Sequence, residues 1–433
     1  IYMLKDKNGI HSDETRKNYE ILENMKPRFS RLTIHNLNTI EDINNCEVAN
    51  SDSFSEFIII DGILGTGING KLRENIKRAI EVINSSNGLT ISVDVPSGLD
   101  PLTGQIHDVA VKPQYTVSFH KVKTGIHKAG EEKVGGIVTC DIGIPIEAEY
   151  FINHGDMIKL NKRSLKSHKG NNGKVLIVGG SKEYSGAPSI AGLAAIGAGA
   201  DLVYVAAPES AALAISTHPD LIVNSLKGDY LTAIHAEEIL KMADKVDAVL
   251  LGPGAGINDE TGKLLNILAS KIKKPLVLDA DALKQVKPQI IKNRDDVILT
   301  PHIFEFKSFF GKDIKLDLDS YDFAEVDENI SEFQQVVKQI SGAVVVKGAI
   351  DLVIQKNKFK LNKSGNPGMT VGGTGDALAG IATSLLSKGL NAFDAATLAI
   401  FINGLAGDEA YLEKGYGFGA TDVVAHIGKV IKG

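Results

Sequence analysis

The chain has 433 residues, 43% hydrophobic and 23% charged, which calls for two cores rather than one and excludes a disordered or low-complexity protein. Its net charge of −6, from 47 basic and 53 acidic residues, excludes a general nucleic-acid binder. Two cysteines, Cys46 and Cys140, cannot build a disulfide framework; each reads as a core thiol, and the setting as reducing and cytoplasmic. No secretory signal is evident, and the longest run of small residues, 190–200, is cut by Asp201 and too short to span a bilayer. Neither nucleic acid nor membrane is expected as a partner.

The chain opens Ile1-Tyr2-Met3-Leu4, a strand fragment with nothing ahead of it, so a preceding segment is expected. Residues 12–25 read as a helix and 31–37 as a further strand. Residues 57–60, Phe-Ile-Ile-Ile, read as a buried strand. Gly65, Gly67 and Gly70 then form G-x-G-x-x-G, and a helix follows with Leu72, Ile76, Ile80 and Ile83 on one face. A second buried strand, 89–95, runs into Asp94-Val95-Pro96-Ser97-Gly98. A dinucleotide-binding fingerprint shares this layout. Two details disagree with it. Asp61 stands at the strand end before the glycines, and Asp94 is followed by a rigid turn. Two carboxylates and a hydroxyl at the ends of adjacent parallel strands can share a cation and one acid–base task. The plainer reading has both carboxylates capping turns.

These residues carry a family resemblance. Asp61-x-x-x-Gly65-Thr66-Gly67, then Val93-Asp94-Val95-Pro96-Ser97-Gly98-Leu99-Asp100, Thr103-Gly104 and Lys121-x-Lys123-x-Gly125 resemble the NAD(P)H-hydrate epimerase domain. The resemblance covers residues 1 to about 148 and implies a Rossmann-like domain over 1–150. It implies that Gly65, Thr66, Gly67, Ile68, Asn69, Gly70 and Lys71 lie along the substrate. It implies that Asp94 acts in the epimerisation, and that Asp61 and Ser97 hold a potassium ion. The family's Asn- and Gly-rich loop, of the form G-N-N-G-G-D-G, does not occur in this chain. Epimerisation is therefore expected where that domain is complete.

Residues 144–169 read as the connection, with a basic cluster of Lys159, Lys162, Arg163, Lys166, His168 and Lys169. The cluster is either a solvated face or the mouth of a phosphate site. Strands then alternate with helices. Strand 174–178 ends in Gly179-Gly180-Ser181, and a helix of small residues covers 189–199. After strand 202–206, strand 248–251 ends in Gly252 to Gly256, and 275–278 in Asp279-Ala280-Asp281. Strand 297–300 ends in Pro301-His302, and 344–346 in Lys347-Gly348. Strand after strand running into loops of Gly, Asp, His or Lys describes a doubly wound parallel sheet with its site along one edge.

The stretch 366–380, Asn-Pro-Gly-Met-Thr-Val-Gly-Gly-Thr-Gly-Asp-Ala-Leu-Ala-Gly, is a glycine turn feeding a buried helix. Such a turn puts free N–H groups and the positive end of a helix dipole at one point, which suits a phosphate oxygen. Asp376 in the first turn would repel that anion unless it takes a proton from an attacking hydroxyl. The plainer reading is an N-cap aspartate. No Walker-type loop and no protein-kinase catalytic set occur.

Gly-Gly-Thr-Gly-Asp near the end of a parallel α/β domain resembles the ribokinase-like superfamily. His168-Lys169-Gly170, Gly186-Ala187-Pro188, Gly252 to Gly256, Leu278 to Leu283, Leu299-Thr300-Pro301-His302-x-x-Glu305 and Val346-Lys347-Gly348 precede it in order. Together these are similar to the ADP-dependent NAD(P)H-hydrate dehydratase domain, placed here at 160–433. Ile303-Phe304 and Asp351 are small departures. The resemblance implies phosphorylation of the hydrate's hydroxyl by ADP with magnesium, loss of phosphate, and return of NAD(P)H with AMP. In it Asp376 is the base. Lys347, Gly348, Ala349, Ile350 and Asp351, with Gly372, Gly373, Thr374 and Gly375, hold the nucleotide, while Ala187, Gly254, His302 and Asp376 line the hydrate pocket.

Bland readings stand beside these roles. His302 could be a satisfied loop histidine, Lys347 a snorkelling strand-end lysine, and Asp279 and Asp281 turn caps, to which no catalysis is assigned. The alternative functions are a small-molecule kinase of the ribokinase-like superfamily, or a nucleotide-binding protein with an inactive N-terminal domain. A homo-oligomer is expected. The preference between NADH and NADPH hydrate is not legible.

Overall fold

The computed structural model describes the chain except residues 6–8, 11, 47, 49–57, 67–70, 146, 161–162, 312–325 and 433. Residues Ile1–Pro145 and Ile146–Gly433 form two compact units. Among the described residues no helix is long and apolar enough to cross a membrane.

In the first unit β1 (Tyr2–Met3) and β2 (His35–Asn36) pair in parallel. Strands β3 (Ile58–Asp61), β4 (Leu89–Val93), β5 (Tyr115–Phe119) and β6 (Gly136–Cys140) form a four-stranded parallel sheet in that order. The helix Asp13–Met25 starts where Ser12 Oγ accepts the Thr15 N–H. The helix Glu74–Ser85 buries Ala79, Ile80 and Val82.

The sheet's two faces reverse the expectation of buried apolar strands. Asp61, Thr90, Ser92, Thr116 and Ser118 are buried on one face. On the other, Ile58 and Ile60 are 60% and 61% exposed, and Leu89, Tyr115 and Val138 are exposed too. An apolar run in a strand serves two faces alternately, and only the polar one is covered by described residues. Cys140, read as a core thiol, is exposed at the end of edge strand β6, while Cys46 is half-buried.

The second unit carries β7 (Lys174–Val178), β8 (Leu202–Pro208), β9 (Leu221–Leu226), β10 (Ala248–Leu251), β11 (Leu276–Leu278), β12 (Val297–Leu299), β13 (Ala343–Val346), β14 (Asp351–Gln355) and β15 (Lys358–Asn362). Among the described residues they form one sheet in the order β15-β14-β13-β12-β11-β10-β7-β8-β9. It is parallel from β13 to β9. The expected all-parallel sheet is corrected at one edge, where β14 and β15 run antiparallel. The loop after β13 is too short for a crossover helix, so the chain turns back as a hairpin.

Alternation sorts the strand residues between two layers. Val175, Ile177, Val203, Ala248, Leu250 and Val345 pack with the helices Gly186–Gly197, Thr374–Ser387 and Ala392–Lys414. Leu176, Val178, Val249, Leu251, Leu278 and Val344 pack with the helices Asp259–Lys271 and Ile303–Phe310. Chain order reverses between β7 and β10, and the crevice beyond the C-terminal ends of strands at such a reversal is where open α/β sheets take ligands.

Candidate active sites

The glycine turn of the second unit is braced from behind. Asn366 Oδ1 accepts the Gly368 N–H at 3.0 Å, and Asn366 Nδ2 donates to Asp408 Oδ1 at 3.0 Å. Thr374 Oγ1 donates to the Met369 carbonyl at 2.8 Å, and Asn403 Nδ2 to the Thr374 carbonyl at 3.3 Å. Gly373 has φ 98°, and a Cβ there would fall 2.7 Å from Ile190 Cδ1, so only glycine makes this turn. A Cβ on Gly372 would meet open space, and one on Gly375 only the Lys347 Nζ at 3.2 Å. The helix Thr374–Ser387 opens beside that space, and the unpaired N–H groups usual in a first helical turn suit an anion there.

Asp376 lies in the first turn of that helix. Burial, and then the carboxylate of Asp279, push it up to about 7, with Asp281 and Glu305 adding and Lys347 opposing. A carboxyl at that value can take or give a proton near neutral pH.

Three strand ends supply the rest. At the end of β11 the buried Asp279 carboxylate accepts Thr300 Oγ1 at 2.7 Å and pairs with Lys347 Nζ at 3.5 Å. Pairing of β12 with β13 continues past both strands as a bridge between His302 and Lys347. His302 caps the helix Ile303–Phe310: its Nδ1 accepts the N–H groups of Phe304 and Glu305, both at 3.2 Å, and Nε2 lies 3.4 Å from Glu305 Oε1. Burial, seconded by the Lys347 and Lys284 ammonium groups, holds its imidazole below the usual histidine range against the pull of Glu305. Both of its ring nitrogens are thus turned to the helix start, Nδ1 to the N–H groups and Nε2 to Glu305.

Gly254, at φ 59°, approaches Ala187, whose Cβ would lie 3.3 Å from a Cβ on that glycine. Asp351 spends its Oδ1 on the Gly348 N–H at 3.0 Å and its Oδ2 on Asn362 Nδ2 at 2.9 Å. Burial raises it to about 6 against those two donors. It shapes the turn 347–351 from within rather than pointing into a site.

The basic cluster is not the mouth of this site. Arg163 pairs with Asp201 at 3.1 Å and donates to the Gly199 carbonyl at 2.8 Å. Asp201 also accepts the Gly170 and Asn172 N–H groups just ahead of β7. These contacts lie at the N-terminal ends of the strands, opposite the glycine turn. Lys159 pairs with Asp394 at 2.7 Å. Lys162 lies outside the described residues.

In the first unit Asp61 is 1% exposed and accepts Ser97 Oγ at 2.6 Å, Ser97 N at 2.9 Å, Ser92 Oγ at 2.8 Å and Ile63 N at 3.3 Å. Ser97 Oγ also accepts the Leu64 N–H at 2.9 Å and lies 3.4 Å from the Leu64 carbonyl. Asp94 sits at φ 67°, a costly conformation for a residue with a side chain. Its Oδ1 accepts the Phe119 N–H at 3.0 Å and the Lys123 ammonium. Gly65, Thr66 and Lys71 flank this region in sequence; Gly67, Ile68, Asn69 and Gly70 lie outside the described residues.

Sequence reasoning missed the partners of its chosen residues: Asp279 and Thr300 behind Lys347, Asn403 behind Thr374, Lys123 against Asp94. Asp279, Thr300 and Lys123 stood in quoted motifs; Asn403 did not.

Known proteins resemble both units. The family pattern for NAD(P)H-hydrate dehydratase matches residues 175–429, and that for the YjeF-related protein N-terminus matches 1–125. The bifunctional NAD(P)H-hydrate repair enzyme Nnr of Methanothermobacter thermautotrophicus is 43% identical over 435 residues, covering 100% of this chain and 81% of that one. Among solved structures, a ribokinase-like superfamily protein from Enterococcus faecalis has a TM-score of 0.55 at 21% identity, over 65% of this chain and 95% of its own. The ADP/ATP-dependent NAD(P)H-hydrate dehydratase from Bacillus subtilis, co-crystallized with ATP and magnesium, has a TM-score of 0.51 at 22% identity, over 67% of this chain and 99% of its own. At such identities the two structures show the fold.

Proposed function

The chain belongs to the family of bifunctional NAD(P)H-hydrate repair enzymes, and from that premise we propose which residues do each part of the repair. Water added across a double bond of the reduced nicotinamide ring leaves a hydrate that no longer serves as a cofactor. Hydroxide is a poor leaving group and phosphate a good one. Residues 160–433 therefore dehydrate the S hydrate in two steps. The ring hydroxyl gives its proton to Asp376 as its oxygen takes the terminal phosphoryl of ADP, releasing AMP. Phosphate then leaves with the electron pair of its C–O bond, the neighbouring ring carbon gives up a proton to water, and the double bond returns.

The observation that carries this reading is Asp376, pushed up to about 7 in the first turn of a helix that opens beside the space at the glycine turn. The turn Gly372 to Gly375 stabilises charge on the moving phosphoryl, as oriented N–H donors do. Lys347 to Asp351 frames the nucleotide, and Ala187, Gly254 and the His302 ring frame the hydrate. Among the described residues no cluster of three or more His, Cys, Asp or Glu side chains could hold a metal ion. Magnesium is assigned to the nucleotide's phosphates, where it would neutralise charge during the transfer. The donor supported by the relatives is ADP or ATP, and ADP is proposed.

Residues 1–150 interconvert the R and S hydrates, with Asp94 as the acid–base group. Lys123 and the Phe119 N–H fix its Oδ1, and the proton transfer is assigned to Oδ2. The buried Asp61 carboxylate meets only uncharged donors in its contacts with Ser92, Ser97 and Ile63. Its oxygens, with Ser97 Oγ and the Leu64 carbonyl, are hard donors that would hold a potassium ion, which would supply the positive charge these contacts lack.

Purified S-NADH hydrate with magnesium and ADP tests the dehydratase. Reduced nicotinamide absorbance should return with one phosphate released per turnover, and Asp376→Asn should lose about 100-fold or more in rate. A stable phosphorylated product instead of free phosphate would make the protein a small-molecule kinase.

A further inference from the structure

Asp279 and Asp281 stand two residues apart at one strand end, yet their carboxylates do different things. Asp281 ties a loop: its Oδ2 accepts the Gly256 N–H at 2.9 Å, and its Oδ1 lies 3.2 Å from Lys284 Nζ. Asp279 is 2% exposed and holds Thr300 Oγ1 and Lys347 Nζ on one oxygen. Its backbone cannot drift. A Cβ on Gly252 would fall 2.0 Å from the Asp279 carbonyl oxygen, and Ala280 beside it is strained at φ 49°. Lys347 is the mobile partner, a compact charge on a flexible four-carbon stem. Three carboxylates are within its influence, Asp279, Asp376 and the turn-bound Asp351. The ion pair goes to Asp279, and among the described residues none forms between Lys347 and Asp376. Held that way, the ammonium lies 3.2 Å from the Cβ position of Gly375, beside the N–H groups of the glycine turn.

We propose that Asp279 is a positioning residue that keeps the Lys347 ammonium on the phosphate side of the glycine turn and off Asp376, leaving the Asp376 carboxylate free to take the hydrate's hydroxyl proton. The proposal rests on the dehydratase reading. Without the Asp279 charge, Lys347 swings to Asp376, and an opposite charge in contact weakens a carboxylate as a base. The charged groups facing Asp376 are Asp279, Lys347, Asp281 and Glu305. Lys284 stands behind Glu305 at 3.9 Å, and His302 beside it serves as a neutral cap.

A four-arm comparison tests this: wild type, Asp279→Asn, Lys347→Met and the double variant, each followed as kcat/KM for S-NADH hydrate against pH with saturating ADP and magnesium. In Asp279→Asn the acid limb moves down by about one pH unit and kcat at pH 8 falls about tenfold. In Lys347→Met the limb moves up. In the double variant it returns toward wild type, because the ammonium that captured Asp376 is gone. Limbs unmoved in Asp279→Asn, or moved down equally in the double variant, would overturn the proposal. Should Asp279→Asn fail to fold, the upward move in Lys347→Met carries the same test, and an unmoved limb there overturns it. Absence of turnover in the wild type would sink the dehydratase reading instead. The Asp376 carboxyl resonance, titrated by carbon-13 NMR in the same four proteins, must then show the same order of shifts, and any other order overturns the proposal.

Discussion

Asp376 occupies a place that disfavours its own charge. Burial and the neighbouring Asp279 push it up to about 7, against an ordinary 3.8. A raised carboxyl binds its proton more tightly in the folded chain, so its destabilisation is absent below about pH 4, grows as pH rises toward 7, and is constant above. Asp376→Asn removes that effect. The variant should be more stable than wild type at pH 8, by up to a few kcal/mol at about 1.4 per unit of displacement. At pH 4 the two should melt together. Thermal melts of both proteins at pH 4, 6 and 8 check this; equal melting temperatures at pH 8 would show that Asp376 is not held in a desolvated site. For the same reason kcat/KM for the hydrate should have an acid limb near pH 7 rather than pH 4.

The helix Thr374–Ser387 carries the anion turn, and its position depends on the absence of side chains. A Cβ on Gly380 would fall 2.1 Å from the Ala191 carbonyl oxygen of the helix Gly186–Gly197. Gly380→Ala should therefore push the two helices apart and destabilise the unit by about 1–3 kcal/mol. It should also weaken ADP binding measured by calorimetry, because the turn moves with its helix. Gly428, inside the helix Ala420–Lys432, is the control: a Cβ there has its nearest neighbour at 3.8 Å, the Gly197 carbonyl oxygen. Gly428→Ala should leave affinity unchanged and stabilise the helix by about 0.5–1 kcal/mol. Equal effects from the two substitutions would dismiss the close approach as the reason for Gly380.

At the scale of the whole molecule the two units hold separate chemistry. Asp94→Asn should stop epimerisation and leave dehydration of the S form intact. Offered an equal mixture of R and S hydrates with ADP, wild type should convert nearly all of it, and the variant should halt near half. Complete conversion by the variant, at the wild-type rate, would remove Asp94 from the reaction.

Much of the second unit was legible because its strands are short apolar runs, each ending in a residue type with one conformational or chemical use. Gly252 and Gly373 stand where φ is 119° and 98°, and Asp376 where a helix begins. Local pattern sufficed there, since turn chemistry and periodicity are properties of neighbours in sequence. The hairpin of β14 and β15 escaped, as did the exposed face of β3, because what covers a strand is decided by distant residues.

The chain's own order of residues determined which family it belongs to, where each glycine turn falls, and which acid stands at each. Only the tertiary structure decided what those acids do. It parted Asp279 from its near twin Asp281 and set Lys347 against the first. It turned His302 into a helix cap, and placed Arg163 of the basic cluster at the far ends of the strands from the glycine turn. The physical reason is one and the same. A charge acts through what lies within a few ångströms of it and through how much water is left around it, and both are set by residues far along the chain.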